Sequence, residues 1–415
     1  MLRSPVTSLR LLEEARVAPQ YDLVCLSHLR WDFVYQRPQH LMSRCARERR
    51  VFFVEEPLFD EAQAHLEISC RSQGLWVAVP HLPKGMTEEE AIVLQAAMMD
   101  ELLIRYGIER YVLWYYTPMA LPFTGQLEPL AIVYDCMDEL STFNQAPPVM
   151  RQREAELLVY ADLVFTGGQS LYEAKKALHR HVYAFPSSVD TPHFLCARQP
   201  LADPPDQAAL PRPRLGFYGV LDERLDLALL REVADAQPDW HLVIVGPVAT
   251  PKFDPALLPK RENIHYLGSK AYAELPAYLA GWDVAIMPFA RNASTRFISP
   301  TKTLEYLAGG KPVVSTSIRD VVSPYGEQGL VSIADTPGDF IEAVRLAMSS
   351  HDPGHLCQVD SFLSQTSWNA TWARMRELID ELVAERLEWP TYSLASAGCP
   401  QPLLPAEVLV DGGNG

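Results

Sequence analysis

Short, continuously apolar runs alternate along this chain with longer stretches in which apolar residues recur every three or four positions. Residues 22–26, 51–54, 74–79, 111–115, 131–134, 163–166 and 182–185 have the length and the β-branched or aromatic content of buried strands. Between them, 38–50 and 87–106 predict helices, the second opened by Thr87 and Glu90 at capping-box spacing. Strands apolar on both sides, separated by helices, predict a parallel sheet covered on both faces. The pattern breaks at 198–214, where five prolines and no hydrophobic period mark a domain boundary. It then restarts, with strands at 214–218, 241–245, 264–267, 284–287, 313–315 and 330–333 and a long final helix at 367–387.

This pattern divides the chain into an N-terminal arm (1–19), a first Rossmann-like domain (20–197), a Pro-rich linker (198–213) and a second Rossmann-like domain (214–366). A C-terminal helix (367–389) and a Pro/Gly/Ala-rich tail expected to be disordered (390–415) complete it. A chain of 415 residues is long enough for two independent cores.

Charge and cysteine usage remove several classes of function. The 36 Lys and Arg against 52 Asp and Glu give a formal net charge of −16, which argues against a nucleic-acid partner. The seven cysteines (Cys25, Cys45, Cys70, Cys136, Cys196, Cys357, Cys399) are scattered without a C-x-x-C, as in a reduced, cytoplasmic protein. No His-Glu-x-x-His occurs either, so no metal is expected, and no cofactor is called for. Arg3, Arg10, Glu13, Glu14 and Arg16 interrupt any apolar leader, and no run approaches the roughly 20 residues of a membrane span. Membrane contact, where it occurs, is expected to be peripheral, at the inner face.

The densest candidate chemistry lies in Ser299-Pro300-Thr301-Lys302-Thr303-Leu304-Glu305, followed by Gly309-Gly310 and the strand 313–316. A helix start with free amides and the positive dipole end, beside Lys302, suits an anion. Glu305, a turn later, can accept hydrogen bonds from vicinal hydroxyls such as those of a ribose. Together they suggest a nucleoside diphosphate, although an ordinary α/β unit with solvated Lys302 and Glu305 has the same spacing.

This segment resembles the donor-binding signature of GT-B glycosyltransferases of the family 1/family 4-like group. Its Ser-Pro-Thr-Lys form resembles the teichuronic-acid-type and xanthan glucuronosyltransferase-type subgroup. The resemblance implies an α/β GT-B fold, two Rossmann-like doubly wound domains facing across a cleft, with the last helix crossing back to the first domain. It implies that the second domain binds a nucleotide-sugar donor, most simply UDP-linked, through Ser299, Thr301, Lys302 and Thr303 at the diphosphate and Glu305 at the ribose. Within 216–224, Gly219 and Arg224 would approach the diphosphate, Arg224 having Asp226 and Glu223 as alternative surface partners. Ser269 falls in the loop expected at the nucleobase, and Asn292 in the loop expected at the sugar. The first glutamate of the family's E-x7-E pattern falls on Phe297, a departure at the place that usually holds the donor sugar.

The resemblance also implies that the first domain takes a glycan or lipid-linked acceptor in polysaccharide or cell-envelope biosynthesis. The strand end 132–139 delivers Asp135, Asp138 and Glu139 to the sheet edge where ligands gather. Asp138, then Asp135, is the candidate base for an acceptor hydroxyl, the alternative being a helix cap and a salt-bridge partner. In 27–40, His28, Trp31, Arg37 and His40 are candidate acceptor contacts, and Arg44, Arg47, Arg49 and Arg50 continue as a basic run that could meet a lipid diphosphate or a membrane. Alternative readings are a non-catalytic GT-B scaffold partnering a polysaccharide enzyme, or a GT-B epimerase.

Overall fold

The computed structural model describes residues 20–388 apart from 62, 251 and 350–352. The expected arm at 1–19 and tail at 390–415 lie outside the described residues. The described chain forms two sheets. The first contains β1 (Asp22–Ser27), β2 (Val51–Glu55), β3 (Leu58–Glu61), β4 (His65–Ser72), β5 (Leu75–Pro83), β6 (Tyr111–Tyr115), β7 (Ala131–Cys136), β8 (Leu163–Thr166) and β9 (Val182–Ala184). Its order is β3-β5-β2-β1-β6-β7-β8-β9, parallel throughout, with β4 added antiparallel to β5. The sequence pattern does not predict β3 and β4, because β4 is a largely exposed edge strand with no apolar run.

Strand alternation splits the interior of this domain into two layers. Val24, Leu26, Phe52 and Leu113 face one side and pack with Met98, Met99 and Leu102 of the helix Glu88–Tyr106. Leu23, Cys25, Phe53 and Trp114 face the other and pack with Trp368, Trp372, Met375 and Ile379 of the final helix, Trp368–Glu388. The C-terminal helix therefore closes the N-terminal core. Each large apolar side chain buried there is worth about 1.5–3 kcal/mol.

The second sheet contains β10 (Arg214–Tyr218), β11 (His241–Val245), β12 (Ile264–Gly268), β13 (Val284–Met287), β14 (Val313–Ser315) and β15 (Ser332–Ile333) in the order β12-β11-β10-β13-β14-β15. Chain order reverses at β10, between β11 and β13, and an α/β sheet binds ligands off the carboxyl ends of its strands at such a switch point.

Two expectations change. The 198–213 segment is pinned to the second domain: Gln207 is fully buried, donates to the Tyr278 carbonyl at 3.1 Å and accepts from Trp282 Nε1 at 2.9 Å. Prolines hide this from a periodicity reading because the anchoring is by single polar contacts. The helix expected over 38–50 is Arg37–Cys45, so the basic run does not form one helical face. Arg44 donates to Asn369, Arg49 lies over Tyr21 with its Cζ 3.8 Å from the ring centroid, and Arg50 is paired with Asp22. Three of these four arginines hold the domain together.

Candidate active site in the interdomain cleft

The carboxyl ends of β10 and β7 face each other across one cavity. On the β10 side it is lined by Phe217, Val220, Arg224, Phe289 and Ser299 to Lys302; on the other side by Gln36, Arg37, Met137, Asp138 and Ser187. Lys302 opens the short helix Lys302–Ala308 and passes over Gly219. A Cβ at Gly219 would sit 3.0 Å from Lys302 Cε and 3.2 Å from Nζ, and Gly219 has φ +151°, so glycine alone leaves this lysine its path. Nζ lies 5.4 Å from the Phe217 ring centroid and 5.3 Å from that of Phe289, and no ion pair among the described residues holds it. Burial, then the nearby Arg224, keeps the Lys302 ammonium below its ordinary pKa.

Arg224 stands over the Phe143 ring of the opposing domain at 5.5 Å. It is paired with neither Asp226 nor Glu223. Its guanidinium is clamped to Asp222, with Nε 2.9 Å from Oδ1 and Nη2 2.6 Å from Oδ2. Across the cavity, Asp138 follows β7, and no donor among the described residues takes its carboxylate. Burial pushes this carboxyl up to about 6, against the pull of Arg224 and Lys302. An unclaimed carboxylate with a raised pKa thus faces two cations over a solvent-reachable gap.

Several expected site residues lie elsewhere. Asp135 is fully buried and bound by Arg37 through Nε at 3.0 Å and Nη2 at 2.8 Å, while Arg37 Nη1 donates to the Phe185 carbonyl. This pair joins β7 to the first helix, so Asp135 is not available as a base, and Arg37 forms a wall without offering a free cation. His40 is buried and stacked on Trp368 at 4.6 Å; burial lowers its pKa to about 3, so it is neutral and carries no charge for an acceptor. His28 is likewise held neutral by burial, at about 4. Trp31 packs edge-on against Phe53 at 5.1 Å, its amide donating to Glu55. Its ring belongs to the domain core.

On the other side, Thr303 is fully buried and its Oγ1 points to Met287 Sδ at 3.5 Å, facing the core because it lies on the inner side of its helix. Glu305 is buried behind Lys302 and accepts from Tyr218 Oη at 2.8 Å, outside the cavity wall. Ser269 is exposed beside Lys270, which pairs with Asp206. Asn292 closes its own loop, accepting from Ser294 Oγ and Thr295 N and donating to the Glu223 carbonyl. Phe297 packs against the core of the first domain. Gln36, Ser187 and Val220 line the cavity without having been singled out; each sits beside a motif, and only the cleft brings them together.

Residues 212–350 match the family Glycosyl transferases group 1. Over 293 residues the chain is 27% identical to TuaH of Bacillus subtilis (strain 168), assigned as a teichuronic acid biosynthesis glycosyltransferase, covering 64% of this chain and 71% of that protein. The fold is shared with sucrose-phosphate synthase from Thermosynechococcus elongatus, at TM-score 0.66 and 14% identity over 88% of this chain and 100% of that one. The chain has the GT-B fold, and its second domain matches the group 1 glycosyltransferases. A second structure with this fold is the E. coli trehalose-6-phosphate structure bound with UDP-2-fluoro glucose, at TM-score 0.64 and 11% identity over 87% of this chain and 99% of that one. No helix among the described residues is long and apolar enough to cross a membrane.

Proposed function

We propose that this glycosyltransferase moves a sugar from a UDP-linked donor to a glycan or lipid-linked acceptor in polysaccharide or cell-envelope biosynthesis. The observation that carries this reading is the single cavity in which Asp138 of the first domain faces Lys302 and Arg224 of the second. The second domain binds the donor, and the first presents the acceptor. UDP as the carrier is supported by the UDP-sugar bound to a protein of the same fold, and the acceptor class by the teichuronic acid assignment of the Bacillus relative. A lipid-linked acceptor would be reached by peripheral contact at the inner membrane face.

In this scheme the acceptor oxygen forms a bond to the anomeric carbon as the bond from that carbon to the diphosphate oxygen breaks. The hydroxyl proton passes to Asp138, and the negative charge gathering on the departing UDP is met by Lys302 and Arg224. Gly219 and the 299–301 loop bring backbone close to the diphosphate. Fixed cations in a partly water-excluded cleft stabilise that charge without a metal being required.

Calorimetry with UDP, GDP, ADP and TDP, with and without EDTA, tests the proposal. Selective, EDTA-insensitive binding of UDP is expected. No binding of any of the four would overturn the donor assignment and favour a scaffold role.

A further inference from the structure

Asp320 lies on the second domain, just beyond β14, and is 5% exposed. Its carboxylate does not serve its own domain. Oδ1 and Oδ2 accept from the Ser170 amide of the first domain at 3.0 and 3.3 Å. Bonds from amides to a buried carboxylate are among the stronger hydrogen bonds.

The contact is built around Gly168. A Cβ there would overlap the Asp320 carboxylate and lie 2.8 Å from Ser299 Cβ, so glycine is what lets Asp320 and the Ser299–Lys302 loop approach the first domain together. One residue earlier, Gly167 donates to the Cys136 carbonyl at 2.8 Å and packs on the Met137 backbone, immediately before Asp138. The same helix, Gln169–Lys175, ends in the buried Lys175, whose Nζ lies 2.6 Å from Glu139 and 2.7 Å from Glu154. Its first turn therefore holds the donor domain, and its last turn holds the residue after Asp138.

We infer that Asp320 is a positioning residue for sugar transfer: through Gly168 and the helix Gln169–Lys175 it sets the register of the donor loop against the Asp138 turn. The inference rests on the reading of Asp138 and Lys302 given above. The Ser170 amide is shared between both carboxylate oxygens, which makes the cross-domain bond directional, so it fixes where the domains meet as well as how firmly. A carboxamide at 320 would turn one donor toward donors and lose part of that register.

Hydrogen exchange on the full chain tests this without an identified sugar or acceptor. In Asp320→Ala and in Gly168→Ala, the Ser170 amide should exchange at least about tenfold faster, the equivalent of one charge-assisted hydrogen bond. The 137–143 segment should lose protection with it, while strand β1 keeps its own, which shows that the domain is folded. The double variant should be no worse than the more affected single variant, because both break one contact. UDP, the probe for the donor site, should bind Asp320→Ala within about threefold of wild type. Acceleration confined to Ser170, unchanged exchange there and at 137–143, or additive losses would overturn the positioning role. Absence of UDP binding by the wild-type protein strikes the donor assignment instead, and it is read separately.

Discussion

The two walls of the cleft hold their leading cations, Lys302 and Arg37, in opposite ways. On the donor wall, Lys302 lies over two aromatic rings with no carboxylate in contact, and Gly219 leaves it room. On the acceptor wall, Arg37 and Asp135 neutralise one another in the interior, and His40 is a neutral ring stacked on Trp368. An ion left unpaired at a cavity is costly unless a ligand completes it, whereas a buried pair with satisfied geometry costs little once made. The comparison teaches that a charged residue near a strand end points to function when it keeps its charge toward the cavity, as Lys302 does and Arg37 does not. Asp138 is the one carboxylate of its turn that meets this test, since Asp135 is bound by Arg37 and Glu139 by Lys175.

The largest effect should follow from removing that unpaired carboxylate. Asp138→Asn is expected to lower transfer by about 10²–10⁴-fold with nucleotide affinity intact, the range for a general base. Normal turnover by this variant would make the acceptor wall entirely structural. The same carboxyl gives the pH dependence its sign. It is raised to about 6 and acts deprotonated, so kcat/KM should fall about tenfold per unit as pH drops below 6 and level off above it. A flat profile from pH 5 to 7 would remove Asp138 from the chemistry.

Arg37→Ala should act on stability instead. It leaves Asp135 buried without its partner, and urea denaturation should show a loss of about 3–5 kcal/mol. A loss under 1 kcal/mol would mean that water reaches this pair and that the two walls are less different than they look. Lys302→Ala belongs to the donor wall and should weaken UDP by about 1.5–3 kcal/mol in calorimetry, with stability little changed. Because Lys302 is held below its usual pKa, UDP affinity should begin to fall at a lower pH than an ordinary lysine would give. The smallest effect is expected for Thr303→Val. Its hydroxyl faces Met287, so UDP affinity should stay within about threefold; a larger drop would return Thr303 to the donor site.

Much of this was legible in the sequence because it is local. Apolar runs and glycine stops determine where strands begin and end, and 111–115, 163–166, 214–218, 241–245 and 284–287 agree with the structure residue for residue. The Ser-Pro-Thr-Lys segment carries its own helix start and lysine, so Lys302 stands out before any neighbour is known. Edge strands β3 and β4 were not legible, since a strand exposed to water needs no apolar run. Thr303 and Glu305 show the limit within a motif. Thr303 lies about 100° around the helix from Lys302 and so faces the core, whereas Glu305, a turn on, is taken by the Tyr218 hydroxyl behind Lys302.

The sequence by itself determined the alternation of strand and helix, the break between the two sheets and the helix start that carries Lys302, because each depends on residues within a few positions of one another. Tertiary structure decided which charges were left free. Arg37 meets Asp135 across 98 positions, and Asp320 meets Ser170 across 150. An electrostatic partner is chosen by distance in space, and that distance exists only once the two sheets have formed and met.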